Sequence, residues 1–188
     1  MEIVVIEKGF LYAVKYLNAE FDEYNRIFEE FGDLEKVTEF FNLYKWEIDQ
    51  YYVRELCLNR DEVEAYSQRV VEEAVELEET FENLIDNSIE GKSPALSSHF
   101  AVLEGFEKER MPAMKSYGLK RPSLLRVYAL EIARNCLIIF YSGIKIRKAI
   151  SDCPVLKDNV LQKARALISF LHENEVLTKK DIDNLAIS

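Results

Sequence analysis

The sequence predicts an α+β fold in which a small, mostly antiparallel sheet packs against several helices. Two observations carry this prediction. Segments rich in strand-forming residues lie near both ends of the chain, and apolar residues repeat at helical spacing in the segments between and after them. The chain has 188 residues, of which 48% are hydrophobic and 31% charged, as is usual for globular proteins. This length buries enough surface for folding without disulfides or metals, so we expect a single domain over 1–188.

The first predicted element is an N-terminal β-hairpin. Strand formers occupy 3–6 and 10–16, and Lys8-Gly9 supplies the turn between them. A helix should follow and end at Gly32, because aromatic residues then recur every three or four positions. These aromatic residues are Phe21, Tyr24, Phe28 and Phe31. Asp33 is placed to cap the next helix, whose apolar face runs from Leu34 to Ile48.

The clearest helical periodicity in the chain lies within 61–85. One face is apolar, with Val63, Tyr66, Val70, Ala74, Leu77, Phe81 and Leu84. The other faces carry acidic side chains, among them Glu72, Glu73, Glu76 and Glu79. A helical di-metal site would also need histidines three residues after glutamates, and neither His99 nor His172 has that spacing. We therefore expect a solvated acidic face and neither a metal nor another cofactor.

The segment 86–123 is the least regular part of the chain, because glycine, proline and serine interrupt it repeatedly. We expect an irregular connection here, either a long arm or loops that contain a short helix around 101–110. It separates the first part of the domain, 1–85, from the last part, 124–188.

A second β-hairpin opens the last part. Strand formers fill Leu124 to Ile132 and Asn135 to Ile146, joined by a turn at Ala133-Arg134-Asn135. A long helix is predicted from about Leu156 to Glu173. Thr178 and Asp181 then have the spacing of a helix cap, which predicts a short final helical turn.

Charge is distributed unevenly along the chain, whose net charge is -10. Residues 61–90 contain one basic and eleven acidic side chains, whereas 111–157 contain nine basic and two acidic ones. The N-terminus does not have the pattern of a signal peptide, and the longest apolar run is too short to cross a bilayer. The three cysteines form no C-x-x-C pair, which favours a reducing compartment. We therefore expect a cytoplasmic protein without a membrane partner.

The basic side chains concentrate around the second hairpin. Arg121 and Arg126 lie at its start, and Lys145, Arg147 and Lys148 lie at its end. Such side chains can bind phosphates and stabilise charge that develops on a phosphodiester, and Tyr128 can stack on a base. The alternative from the residues alone is that these cations pair with the acidic helix 61–85 and are structural.

The segment from Leu124 to Leu171 resembles the C-terminal half of the RelE/ParE toxin superfamily, and its HigB-like branch in particular. The resemblance lies in the L-R-V strand at Leu125-Arg126-Val127, in the apolar strand that ends at Gly143-Ile144-Lys145-Ile146-Arg147-Lys148, and in the helix that follows. The strand Leu11 to Tyr16 also resembles one in bacterial proteins with no established function. The resemblance implies a RelE-like α+β fold.

The resemblance also implies an activity. Members of this superfamily include metal-independent endoribonucleases that act on messenger RNA, often at the ribosome, and that an antitoxin neutralises. By this resemblance Arg126, Lys145 and Arg147 would be catalytic, and Arg121, Tyr128 and Lys148 would bind RNA.

Two functional hypotheses follow. In the first, the chain is a toxin-like protein that binds or cleaves RNA through its basic hairpin. In the second, it is a regulatory or protein-interaction module with no enzymatic activity, whose basic face is covered by the acidic helix 61–85. The aromatic content is also compatible with a homodimer.

Overall fold

The computed structural model describes residues 1–45, 47–48, 63–116, 123–147 and 150–186, and it confirms the predicted α+β class. The α-helices within these ranges include α1 (Asn25–Phe31), α2 (Leu34–Leu43), α3 (Val63–Ile89), α4 (Lys157–Glu173) and α5 (Lys179–Leu185), and two short 3-10 helices cover Leu96–His99 and Ile150–Asp152. The strands are β1 (Glu2–Glu7), β2 (Leu11–Lys15), β3 (Phe100–Val102), β4 (Ala113–Ser116), β5 (Leu125–Ala133) and β6 (Cys136–Ile144).

The described strands form one sheet in the order β1-β2-β6-β5-β4-β3. Four of its neighbouring pairs are antiparallel, as predicted, and the two predicted hairpins are β1–β2 and β5–β6. The fifth pair is parallel and joins the two hairpins, with Leu11 opposite Leu137 and Ala13 opposite Ile139. The resulting sheet is mixed and holds more strands than the sequence predicts.

Both hairpin turns contain a residue with positive φ. Gly9 has φ of 80° between β1 and β2, a region that glycine enters without steric cost. Asn135 has φ of 60° between β5 and β6, and asparagine tolerates this conformation better than most residues. The predicted turn at Ala133-Arg134-Asn135 is confirmed, although Ala133 itself still pairs with Cys136.

The irregular connection contains two strands, β3 and β4, that the sequence does not predict. The expected short helix around 101–110 is wrong, because β3 is followed by turns that run up to β4. Both strands are very short, and β4 pairs with β5, while β3 pairs with β4 and lies at the edge of the described sheet. Their pairing extends the sheet on the side away from the N-terminal hairpin.

The predicted helices are present with small shifts in their bounds. The first begins at Asn25, so Phe21 lies before it, and Gly32 follows its last residue. Asp33 caps α2 by accepting hydrogen bonds from the backbone N–H groups of Glu35 and Lys36. Thr178 and Asp181 form the capping box at the start of α5. The apolar face of α3 is buried along its described length, which confirms the periodicity from Tyr66 to Leu84.

A single cluster of buried apolar side chains connects the sheet with the helices. All of β6 is buried, as expected for a central strand, while α4 packs on β6 and α3 supports α1 and α2. The largest side chains with no exposed surface include Tyr12, Phe41, Phe81, Tyr128 and Phe140. Cys136 and Cys153 are buried free thiols, and Cys57 lies outside the described residues. In the described part of the chain, no helix is long and apolar enough to cross a membrane.

Candidate functional site

The fold brings the predicted basic residues to one place, the open end of the β5–β6 hairpin. Arg126 lies opposite Gly143 in the strand register, and the backbone N–H of Lys145 donates to the carbonyl of Leu124 at 2.8 Å. Arg147 follows two residues later. Arg121 and Lys148, also predicted to bind RNA, lie outside the described residues.

The side chain of Arg126 is occupied inside the protein. Only 6% of the residue is exposed, and Nη1 donates to Ser123 Oγ at 2.8 Å and to the carbonyl of Leu125 at 2.9 Å. A guanidinium held against its own strand in this way stabilises the entry to β5. In this conformation it does not present its donors to an external phosphate.

Tyr128, two residues further along β5, is fully buried. Its ring centroid lies 6.3 Å from that of Tyr141 and 6.4 Å from that of Phe140, so the ring belongs to an aromatic cluster of the core. The predicted stacking role needs an exposed face of the ring. In this conformation the Tyr128 ring has no exposed surface and offers no such face to an RNA base. The sequence pattern alone cannot separate the two roles, since both require an aromatic residue in a strand.

Arg147 lies at the surface and faces a carboxylate. Its Nη2 is 3.4 Å from Glu47 Oε2, and 27% of its side chain is exposed. An exposed pair at this distance contributes little stability, typically about 0–1 kcal/mol. Unlike the guanidinium of Arg126, that of Arg147 can therefore be reached by a ligand without unfolding the end of the hairpin.

The acidic helix α3 reaches the same end of the hairpin through Glu73. Its carboxylate accepts the backbone N–H groups of Leu124 and Leu125, both at 2.8 Å, and the hydroxyl of Ser123 at 3.2 Å. Arg69 approaches from one helical turn earlier, with Nε at 3.3 Å. Burial raises the pKa of Glu73, although these hydrogen bonds and Arg69 act in the opposite direction. Glu72 and Glu79, on the same helix, are exposed.

A second polar cluster lies on the other side of β6 and has Glu23 at its centre. Glu23 is only 4% exposed, yet its two carboxylate oxygens contact different cations. Oε2 lies 2.7 Å from Nη2 of Arg26, and Oε1 lies 3.2 Å from Nζ of Lys163. Arg26 also contacts Glu30 at 2.7 Å, so the cluster contains two cations and two carboxylates.

Side chains at and beside this second cluster donate hydrogen bonds to backbone carbonyls of β6 in the part of the strand that no longer pairs with β2. The register between the two strands ends at Ile139. Past that point the hydroxyl of Tyr16 donates to the carbonyl of Phe140 at 2.8 Å, and Nη2 of Arg26 donates to the carbonyl of Ser142 at 2.7 Å. Side chains therefore take the place of a strand neighbour, because buried carbonyls need a donor.

Two tyrosine rings enclose the ammonium group of this cluster. Nζ of Lys163 lies 4.0 Å from the ring centroid of Tyr16 and 4.4 Å from that of Tyr141. Burial lowers the pKa of Lys163 while Glu23 raises it, and burial raises the pKa of Tyr16. Burial also raises the pKa of Tyr141 to about 12. Neither phenol is thereby activated as a base or a nucleophile, and the geometry indicates binding and positioning of charge instead.

Sequence reasoning missed Glu23, Arg26 and Lys163. Glu23, Arg26 and Glu30 are spaced by three and four residues, which is the ordinary pattern of a solvated helix face. Lys163 is 140 residues away from Glu23, and only the fold brings the two together. The sequence did contain one signal for burial. Aromatic residues, from Phe21 to Phe31, surround Glu23 and Glu30, which indicates that this helix packs against other parts of the protein.

Comparison of the chain with protein-family models, with curated proteins and with solved structures finds no match.

Proposed function

We propose that this protein is a regulatory, protein-interaction module with no enzymatic activity, in which α3 closes the hairpin end that an RNA-binding protein would leave open. The contact between Glu73 and the start of β5 carries the proposal. A buried carboxylate from the acidic helix lies on the backbone of Leu124 and Leu125, next to the hydroxyl that Arg126 binds. This contact supports the second hypothesis, because it places an acidic residue of α3 on the backbone at the start of the basic hairpin.

The state of the basic side chains supports the same function. Arg126 is buried with protein acceptors, and Arg147 faces Glu47. RNA binding through them would require these contacts to be exchanged for phosphate contacts. The gain would be small, since one set of charged hydrogen bonds replaces another.

The partner we propose is a basic protein surface, bound by the outward face of α3. This helix is about 40 Å long at 1.5 Å per residue. Its exposed side chains include Glu64, Glu72, Glu79, Glu82 and Asp86. A single-sign face of this kind attracts a cationic partner and repels the phosphates of RNA.

The experiment titrates the purified protein with a fluorescent peptide rich in lysine and arginine, and with a short labelled single-stranded RNA, at low and moderate salt. The test variant is Glu72→Lys/Glu79→Lys/Glu82→Lys. The matched control is Glu104→Lys/Glu107→Lys/Glu109→Lys, which makes the same charge change at exposed positions in the connection between β3 and β4.

We expect the peptide to bind the parent with an affinity that falls as salt rises. The α3 variant should lose about tenfold in affinity, equivalent to about 1.4 kcal/mol, and the control should lose clearly less. Equal losses in both variants would show an effect of net charge alone and would contradict a site on α3. Cleavage of the RNA by the parent would contradict a module without enzymatic activity.

A RelE/HigB-like ribonuclease is the second candidate, and one observation favours it. Arg126, Lys145 and Arg147 come to one end of one hairpin, as a phosphate-binding site requires. The discriminating variant is Lys145→Glu/Arg147→Glu, and Lys157→Glu/Arg165→Glu on α4 is its control. Salt-sensitive RNA binding that is lost in the first variant and kept in the second would favour this candidate.

A further inference from the structure

A cleft of about 400 Å³ opens between the segment before α1, the two helices α1 and α2, and the end of β6. Its lining is mainly apolar, and three of the lining side chains are aromatic. The apolar lining consists of Ala19, Phe21, Phe31, Val37, Phe40 and Ile144. Its volume is in the range of small-molecule sites, which combine an apolar lining with a few polar groups that fix orientation.

Four charged residues line the cleft, Glu20, Arg26, Glu30 and Lys36, and Arg26 has the most buried side chain of the four. Its Cζ lies 5.5 Å from the ring centroid of Phe31, which belongs to the same lining. Nε and Nη2 are directed to Glu23 and Ser142, and Nη1 donates to Glu30 at 2.7 Å. An Nη1 group carries two N–H donors, and in the described part of the chain Nη1 donates to Glu30 alone.

The charges of the cluster behind this wall determine which ligand would fit. Two cations, Arg26 and Lys163, share one carboxylate that is almost fully buried, that of Glu23. The balancing carboxylate is Glu30, which lines the cleft and has 43% of its side chain exposed. Glu30 can therefore turn into solvent, whereas Glu23 cannot. An anionic ligand that replaced Glu30 on Arg26 would keep the cluster neutral.

We propose that this cleft binds a small amphipathic carboxylate, with its apolar body between the aromatic walls and its carboxylate on Nη1 of Arg26 in place of Glu30. Lys36 also lines the cleft and is exposed. Its Nζ donates to the carbonyl of Glu29 at 3.1 Å and lies 3.7 Å from Oδ2 of Asp33, and the same carboxylate would replace these exposed contacts. A guanidinium is well suited to this role, because it pairs with carboxylates through parallel N–H bonds. This site is separate from the outward face of α3 and does not depend on the function proposed above.

The test compares three probes with the same chain length, octanoate, octanol and octylamine, by calorimetry and by amide shift changes in NMR spectra. The decisive variant is Glu30→Gln, which removes the competing carboxylate from Arg26. Its matched control is Glu29→Gln, which makes the same change of charge at the preceding, exposed residue outside the cleft lining.

We expect octanoate to bind saturably, to shift amides around the cleft, and to bind at least about tenfold tighter than octanol, as one charge-assisted contact implies. Glu30→Gln should tighten octanoate binding about threefold, and Glu29→Gln should leave it unchanged. Lys36→Glu, at an exposed position that folding tolerates, should weaken it.

Three results would overturn the proposal. These are no saturable octanoate binding by the parent or by Glu30→Gln, tighter binding of octylamine than of octanoate, and equal effects of Glu29→Gln and Glu30→Gln. Each of them would show that the guanidinium in the wall does not select an anion.

Discussion

The hydroxyl of Tyr12 donates a hydrogen bond to Oδ1 of Asp183, and so joins β2 to the last helix across 171 residues of sequence. The hydroxyl oxygen of Tyr12 also accepts a hydrogen bond from the backbone N–H of Gly9 at 2.7 Å, which fixes the turn of the N-terminal hairpin. Tyr12 has no exposed surface. One phenol group thus connects the hairpin turn, the sheet and α5.

The variant Tyr12→Phe should lower the free energy of unfolding by about 1–3 kcal/mol, because it leaves the Gly9 amide and the Asp183 carboxylate without their buried partner. Urea unfolding measures the change. Tyr44→Phe is the control, since no hydrogen bond of the Tyr44 hydroxyl is found in the described part of the chain. Equal stability of the two variants would contradict a connecting role for Tyr12.

The Glu23 cluster gives a second prediction. Among the described residues, Glu23 supplies the carboxylate that both Arg26 and Lys163 contact, so Glu23→Gln leaves two cations close together in a buried site. We expect a loss of about 3–5 kcal/mol in the free energy of unfolding, as when one partner of a buried ion pair is removed. Thermal and urea unfolding should agree on the ranking of the variants.

Glu30→Gln serves as the comparison, because it removes the more exposed of the two carboxylates. We expect it to cost less than about 1 kcal/mol, the usual range for an exposed ion pair. A loss as large as that of Glu23→Gln would show that Glu30 is held in place, which would also weaken the proposal for the cleft.

The pH dependence of stability should reveal Glu73. Its pKa in the folded protein is raised above the unfolded value by burial, so the folded state binds the proton more tightly. Its contribution to stability is therefore fully present below the unfolded pKa and is lost as the pH rises through the folded pKa. The stability of the parent relative to Glu73→Gln should fall as the pH rises across that interval.

Urea unfolding of both proteins from pH about 4 to pH about 8 measures this difference, starting just below the usual pKa of a glutamate. Glu72→Gln is the control, because Glu72 is exposed on the same helix. A constant difference between the parent and Glu73→Gln at all pH values would contradict a raised pKa.

Arg126 and Arg147 should differ in their effect on stability. Arg126→Gln removes donors from Ser123 and Leu125 in a buried position, and we expect a loss of about 1–3 kcal/mol. Arg147→Gln breaks a half-exposed pair and should cost about 0–1 kcal/mol. Equal costs would mean that burial does not distinguish the two side chains.

The sequence predicts those parts of the fold whose signal is local. The apolar face of α3, the capping of α2 by Asp33 and the turn at Asn135 depend on neighbours within a few residues, and all three are confirmed. The strands β3 and β4 have three and four residues and show no periodicity that would reveal them. Their conformation comes from pairing with β5.

The candidate site is harder to predict because charge alone does not determine exposure. Arg126 belongs to a basic segment, yet its guanidinium is buried against Ser123. Glu73 has the same residue type and a similar helix context as Glu72, yet it is 5% exposed while Glu72 is in solvent. Which member of such a run turns inward depends on the backbone donors that the fold brings to it.

The parallel pairing of β2 with β6 has a consequence during synthesis of the chain. The hairpin β1–β2 leaves the ribosome before β6, and its sheet neighbour at Leu137–Ile139 is made only after more than a hundred further residues. At about 5–20 residues per second this delay lasts from several seconds to tens of seconds. An isolated two-stranded hairpin is at best marginally stable in water. The hairpin β1–β2 therefore stays available to chaperones or other strands until β6 emerges, and this part of the sheet is completed only after the later part of the chain has been made.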